Sequence, residues 1–267
     1  MKVGLIVKTE IPGSVELAKR VISMLPKDGV ILDGKIAKKL GKKPGRRCEF
    51  READAVVTIG GDGTALLAQS IAPNVPHLGI NIGERGFLAE VSPNDAAKAI
   101  RLLKSGKLEI GKRERLSCSV MGRKVSDALN DVVVVSAEPG KAVTLRAEVD
   151  GREVFEVKGD GMLISTPTGS TAYAYAAGGP VLDPRVPAFV LVPICPSFPR
   201  VSPVVVPMSS TVEITVKGHG RKAWVIVDGR RVHCAGPRDR IRLNRSGTPA
   251  LFFRWEEFYR KVREKLR

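Results

Sequence analysis

The sequence predicts two folds in one chain: an α/β, Rossmann-like domain with a parallel sheet, then an all-β, sandwich-like domain. Three observations carry that reading. Up to about residue 105, short apolar strands alternate with amphipathic helices, the pattern of a parallel, doubly wound sheet. From Leu108 to about Leu251 the texture changes to short alternating strands punctuated by Asp-Gly pairs and prolines. Helical spacing returns in Glu256 to Leu266, with Phe258, Val262 and Leu266 on one side. The boundaries that follow are an α/β domain over 1–105, a β-rich domain over 106–250, and a C-terminal helix within 251–267 that packs back on the first domain.

Taken in order, Met1–Lys8 forms the first strand and a Pro-Gly turn ends it. Ser14 is placed to cap a helix whose apolar positions are Val15, Ala18, Val21, Ile22 and Leu25. The basic stretch 38–47, with its glycines and proline, reads as a surface loop. Ala53–Ile59 is a short apolar strand running straight into Gly60-Gly61-Asp62-Gly63-Thr64, and Ala65 to Gln69 opens a helix at once. Val75 to Ile80 is the next strand and ends in Asn81, and Ser92-Pro93-Asn94-Asp95 starts another helix. In the second half, Val143 to Val149 alternates, meets Asp150-Gly151 and returns through Phe155 and Val157, a hairpin signal because Asp-Gly tolerates the positive φ of a type I′ turn. Trp224 to Val227 runs into a second such pair, Asp228-Gly229, and one helix is embedded near Thr171–Ala177.

Composition bounds the function. Of 267 residues 43% are hydrophobic and 27% charged, as in an ordinary globular protein. No apolar run approaches the roughly 20 residues that span a bilayer, and the apolar start is too short for a signal peptide. A cytoplasmic enzyme with no membrane partner is expected. Cys48, Cys118, Cys195 and Cys234 are scattered, with no Cys-x-x-Cys pair, which speaks against a zinc site or a disulfide framework. The net charge of +16 favours polyanions. Without a nucleic-acid-binding signature or an aromatic-laced basic groove, it reads as a solvated Lys/Arg surface, and no nucleic-acid partner is expected.

The chemistry concentrates in strand-end loops. Open α/β sheets bind ligands at the carboxyl ends of their strands. In Gly60–Thr64 the glycines let backbone approach a phosphate, and the helix start supplies N–H groups, so Gly60, Gly61, Gly63 and Thr64 are phosphate-binding candidates. Asp62, in this anion-attracting turn, suits either a proton acceptor for an attacking hydroxyl or a ligand of Mg²⁺. Asn81-Ile82-Gly83-Glu84-Arg85-Gly86-Phe87-Leu88 repeats the arrangement after the next strand. Asn130-Asp131, an amide beside a carboxylate, suits recognition of sugar hydroxyls or a base edge. From Lys158 to Tyr173, five hydroxyl residues and three glycines surround one proline before a small-residue helix, forming a polar cradle with an aromatic side.

As an ordered set these segments resemble the NAD kinase family. The match covers Gly60–Thr64, Asn81-x-Gly83-x-x-Gly86-Phe87-Leu88, Arg113-x-Arg115-Leu116, Asn130-Asp131 and Gly159-Asp160-Gly161 through Tyr173, with Gly178-Gly179 and Asp228-Gly229 behind them. The Gly-Gly-Asp-Gly-Thr turn alone is shared with diacylglycerol and sphingosine kinases. The resemblance implies an α/β domain plus a β-sandwich-like domain, a homodimer or homotetramer, a divalent metal (Mg²⁺), and ATP or inorganic polyphosphate as donor. It implies that Asp62 takes the proton from the 2′-hydroxyl of NAD and that Gly63 lies against the dinucleotide. Asn130 and Asp131 hold the adenosine ribose or adenine, Asp160 faces the nicotinamide end, Thr171, Ala172, Tyr173 and Ala176 line the adenine pocket, and Lys158 reaches a phosphate. Two positions depart from many members: Asp131 stands where glutamate is common, and Arg230 where glutamine is common, so no contact is carried over to Arg230. The competing readings are a lipid kinase of the diacylglycerol type, which would have no use for Asn130-Asp131 or Thr168–Tyr173, and a non-catalytic NAD-binding regulator.

Overall fold

Strand β1 (Val3–Val7) is buried along its whole length, and helix α1 (Ser14–Met24) follows it. Ser14 is the first helical residue, not the cap: Gly13, at φ 80°, holds the capping position, and the Ser14 hydroxyl is buried. The chain continues through β2 (Val30–Leu32), α2 (Gly34–Lys39), α3 (Arg47–Arg51), β3 (Ala55–Gly60), α4 (Asp62–Ile71), β4 (His77–Asn81), α5 (Ala96–Lys104) and β5 (Ile110–Arg113). The basic stretch expected as one loop is therefore partly helical. Asp33 caps α2 by accepting from the Lys35 and Ile36 N–H groups, which draws Lys38 and Lys39 into that helix. The computed structural model describes residues 1–83, 86–197, 201–218 and 220–266, so Glu84 and Arg85 of the second glycine loop lie outside the described residues.

Two compact units emerge, Met1–Arg113 with Ala250–Arg267, and Glu114–Pro249. The second unit contains β6 (Leu116–Val120), β7 (Arg123–Ala128), β8 (Asp131–Ser136), β9 (Val143–Val149), β10 (Arg152–Gly159), β11 (Gly161–Ser165), α6 (Tyr173–Ala176), β12 (Ala188–Ile194), β13 (Val204–Pro207), β14 (Val212–Lys217), β15 (Ala223–Val227), β16 (Arg230–Ala235) and β17 (Arg240–Arg245). They make two six-stranded antiparallel sheets, ordered β10-β9-β14-β17-β6-β7 and β13-β12-β11-β8-β15-β16. Both predicted Asp-Gly hairpins form, with φ of 50° and 76° at Asp150-Gly151 and 46° and 75° at Asp228-Gly229. The main core packs inward-facing residues of both sheets, among them Leu145, Ile214, Val132, Val134, Met162 and Phe189. The alternate residues Val133, Leu163, Val190 and Val192 bury a second cluster with Ala174 of α6. Burial on both faces is why β8 and β11 read as continuous apolar runs.

The chain then returns to the first unit through β18 (Ala250–Phe253) and α7 (Phe258–Lys265). Residues 250–253 are a strand, not the lead into the helix: β18 runs parallel to β4 and antiparallel to β5. That pairing also carries the first unit to Arg113 instead of residue 105. The six-stranded order is β2-β1-β3-β4-β18-β5, parallel from β2 to β18, so the sheet is mixed at β5. Its two faces bury separate clusters. Leu5, Val57, Ile59 and Ile80 pack with α1 and α5, whereas Ile6 and Val56 pack with Phe50 of α3 and Ala68 of α4. Among the described residues, no helix is long and apolar enough to cross a membrane.

Candidate active site

In the first unit, β3 leaves the core at Gly60 and α4 begins at Asp62. The Asp62 carboxylate is gripped by three consecutive amides: Oδ2 accepts from the Phe87 N–H (2.7 Å), and Oδ1 accepts from Leu88 (2.9 Å) and Ala89 (3.0 Å). Gly86 makes the grip possible, because a Cβ there would stand 1.8 Å from Asp62 Oδ1. The two glycine loops noted in the sequence are thus one device, the second loop holding the acid of the first. A carboxylate offers about four acceptor positions, and the half-buried Asp62 spends three on backbone, which fixes its direction. Among the described residues, a Cβ on Gly61 or Gly63 would meet no atom within 4 Å, which leaves that backbone accessible from their side. A cavity of about 640 Å³ opens beside the turn, lined by Gly61, Gly63, Thr64, Lys8, Asp33 and Lys35 among others. Lys8, Asp33 and Lys35 carried no signal in the sequence. They come together because β1, the β2–α2 connection and β3 end on one edge of the sheet.

In the second unit, the Leu129–Asp131 segment is held in the same manner. The carboxylate of Asp228, in the β15–β16 turn, accepts from the N–H groups of Leu129 (2.8 Å), Asn130 (2.8 Å) and Asp131 (3.3 Å). From the other side, the Thr166 hydroxyl donates to the Leu129 carbonyl (2.6 Å), and the Thr166 N–H to the Asn130 carbonyl (2.9 Å). Gly169 packs so closely that a Cβ would fall 2.2 Å from the Asn130 carbonyl oxygen. The Thr166–Gly169 part of the predicted cradle is therefore built directly onto Asn130-Asp131. Asn130 is 9% exposed and its side-chain oxygen has no donor among the described residues. Asp131 is 6% exposed, and its carboxyl is pushed up to about 7, first by burial and second by the neighbouring Asp228 carboxylate.

The remaining candidates sort by exposure. Tyr173 is 44% exposed at the start of α6; burial pushes its phenol up first, and Cys195, Asp160 and Asp131 add to the shift, which places it within electrostatic reach of both acids. Lys158, Asp160 and Ala176 are exposed, and Ala172 is half-buried. The Thr171 hydroxyl turns back to the Thr168 carbonyl (3.4 Å). Asp131 and Asp160 stand at opposite ends of the β8–β11 pair, since Asp131 opposes Ser165 and the Ser136 N–H donates to the Asp160 carbonyl. From Asp131 to Ser136 along β8 that is about 17 Å. Among the described residues, no three His, Cys, Asp or Glu side chains converge as a metal cage. All four cysteines are free, and Cys118 alone among them is fully buried.

Models of the ATP-NAD kinase N-terminal and C-terminal domains match residues 3–108 and 129–255. The chain belongs to the NAD kinase family. Over its full length it is 38% identical to an NAD kinase of Methanothermobacter thermautotrophicus, covering 96% of that protein, and 34% identical to one of Thermoplasma acidophilum, covering 98%. Among solved structures, an NAD kinase from Archaeoglobus fulgidus in complex with ATP superposes with a TM-score of 0.82 at 30% identity, over 100% of this chain and 98% of that one. Yeast NADH kinase complexed with NADH gives 0.90 at 25% identity, over 100% and 87%. Membership in the NAD kinase family sets aside the lipid-kinase and non-catalytic readings. Asp228 and Gly86 stood in the family match, but the sequence left their tasks unread: Asp228 looks like a turn residue alone, and Gly86's need for no side chain appears only beside Asp62.

The buried Asp131 makes a prediction about pH. Its folded pKa of about 7 lies above the usual 3.8, so between those values the native chain keeps a proton that the unfolded chain releases. This group's contribution to stability therefore falls as pH rises from about 4 through 7. Asp131→Asn removes that dependence. Denaturant unfolding is expected to show the variant gaining on the wild type by on the order of 2 kcal/mol between pH 5 and pH 8.

Proposed function

We propose that this NAD kinase transfers the terminal phosphoryl group of its donor to the 2′-hydroxyl of the adenosine ribose of NAD. Asp62 accepts that hydroxyl's proton, its direction fixed by the amides of Phe87, Leu88 and Ala89. A positioned carboxylate of this kind contributes about 10²–10⁴-fold to a transfer step. The backbone of Gly60, Gly61, Gly63 and Thr64 receives phosphate at the start of α4. The observation that carries the substrate assignment is the Asn130-Asp131 pair: a buried amide oxygen without a donor among the described residues beside a buried carboxyl, where a polar ligand would complete the hydrogen bonding.

In this reading Asn130 and Asp131 take the adenosine part, Tyr173, Thr171, Ala172 and Ala176 flank the adenine, and Lys158 and Asp160 reach the phosphates and the nicotinamide end. The separation of Asp131 and Asp160 along β8 supports an elongated dinucleotide. Asp62, as the carboxylate of the turn, would hold a divalent metal such as Mg²⁺, which when bound would screen the charge that builds up in transfer. The exposed Tyr173, Tyr175, Val186 and Val205 suit an interface between copies in a dimer or tetramer, and four free cysteines suit the reducing cytoplasm.

The test is transfer from radiolabelled ATP in the presence of NAD or diacylglycerol. Label in NADP is expected, and label in lipid alone would overturn the assignment. For the donor, the +16 charge favours inorganic polyphosphate over ATP. A higher kcat/KM with polyphosphate is the expected outcome, and equal or better use of ATP would count against it.

A further inference from the structure

The C-terminal helix α7 reaches the loop that grips Asp62, and it does so through two particular peptide groups. Lys261, 1% exposed, donates to the Phe87 carbonyl (3.0 Å) and to Glu90 Oε1 (2.5 Å). Lys265 donates to the Gly86 carbonyl and lies 4.7 Å over the Phe87 ring, and Phe258 packs against that ring at 6.4 Å. Glu90 in turn accepts from the Trp255 and Glu256 N–H groups (3.0 Å each), tying the start of the tail to the same loop. The Gly86 carbonyl and the Phe87 N–H belong to one peptide plane, as do the Phe87 carbonyl and the Leu88 N–H. Each plane thus has a lysine of α7 on its oxygen and the Asp62 carboxylate on its nitrogen.

We propose that Lys261 and Lys265 are positioning residues for phosphoryl transfer: through the Gly86–Phe87 and Phe87–Leu88 peptide planes they fix the amides that aim Asp62. The physical basis is rigidity. A trans peptide turns as a unit, so a carbonyl held by an ammonium fixes the direction of the N–H on the opposite edge. A cation on the oxygen also polarises the group and strengthens the hydrogen bond its N–H makes. Burial pulls the Lys265 ammonium down while the Asp62 carboxylate works against that, so the two charges sense each other. Lys261 is a poor choice for mere packing, since a buried lysine is costly unless it is paired and hydrogen-bonded, and here it is both.

The inference rests on the role given to Asp62, so the experiment carries an arm for each. Lys265→Met, Lys265→Arg, Lys261→Met and Asp62→Asn are made in the full chain, and kcat, KM for NAD and melting temperature are measured. Lys265→Met keeps the aliphatic stem of a partly exposed residue, so it remains informative if Lys261→Met fails to fold. It is expected to lower kcat about tenfold, as misaimed groups do, with KM within twofold and melting little changed, while Lys265→Arg retains kcat. A folded Lys265→Met protein with wild-type kcat, beside an Asp62→Asn protein that has lost turnover, overturns the relay alone. Wild-type turnover in Asp62→Asn removes the reading on which the relay rests.

Discussion

Asp62→Asn is expected to lower kcat by about 10²–10⁴-fold while NAD binding stays within a few-fold. Asparagine keeps the size of the side chain but replaces one carboxylate oxygen with an NH₂ group. The wild-type carboxylate faces three N–H donors, so in the variant either the Phe87 amide or the Leu88–Ala89 pair is left facing another donor. On the proposed role of Asp62, the variant therefore loses both the acceptor for the hydroxyl's proton and part of the grip that aims it. NAD binding, proposed for the buried Asn130-Asp131 pair of the second unit, is expected to be untouched. Steady-state kinetics with calorimetric titration of NAD separates the two effects, and unchanged turnover would exclude Asp62 as the acceptor.

The largest effect on stability is expected at Asp228. Its carboxylate satisfies the amides of Leu129, Asn130 and Asp131 together, and its backbone sits at φ 46° in the turn between β15 and β16. Asp228→Ala leaves three donors without an acceptor, each costing about 1–3 kcal/mol when buried. It also places a residue with no side-chain hydrogen bond in a left-handed conformation, at about 1 kcal/mol more. Part of this is recovered by water, because Asp228 is only part-buried, so a loss of about 3–5 kcal/mol is expected. Asp228→Asn should lose less, since asparagine tolerates positive φ and retains one oxygen. Denaturant midpoints give the stability difference. A raised KM for NAD in a folded Asp228→Asn protein would follow from displacement of Asn130 and Asp131, and an Asp228→Ala protein as stable as the wild type would refute the bracing role.

Local chemistry was legible in the sequence where one segment contains its own cause. The two Asp-Gly hairpins and the strand–turn–helix around Gly60–Thr64 each depend on neighbouring residues and all formed, although the helix begins at Asp62, three residues before the expected Ala65. Ser14 misled because a serine at a helix start is usually its cap, and nothing nearby reveals that Gly13 takes that place. What depends on distant partners stayed hidden. Ala250–Phe253 joins the first sheet by pairing with β4 and β5, more than a hundred residues earlier, while four residues before a helical tail carry no such mark. Lys261 reads as one more solvated charge in a basic tail; its burial follows from Glu90 and the Phe87 carbonyl, 171 and 174 positions away. Asp228 reads as a hairpin residue because its second task, bracing Asn130-Asp131, involves a segment almost a hundred positions upstream.

The central claim is that a carboxylate held by backbone amides directs phosphate to one hydroxyl of NAD. The most direct test is ³¹P NMR of the product formed from NAD and ATP with Mg²⁺ by the wild-type chain. A new phosphomonoester resonance from the 2′-position of the adenosine ribose is expected, weaker by about 10²-fold or more with Asp62→Asn at equal time. A phosphomonoester at another position, or equal product from the variant, would contradict it.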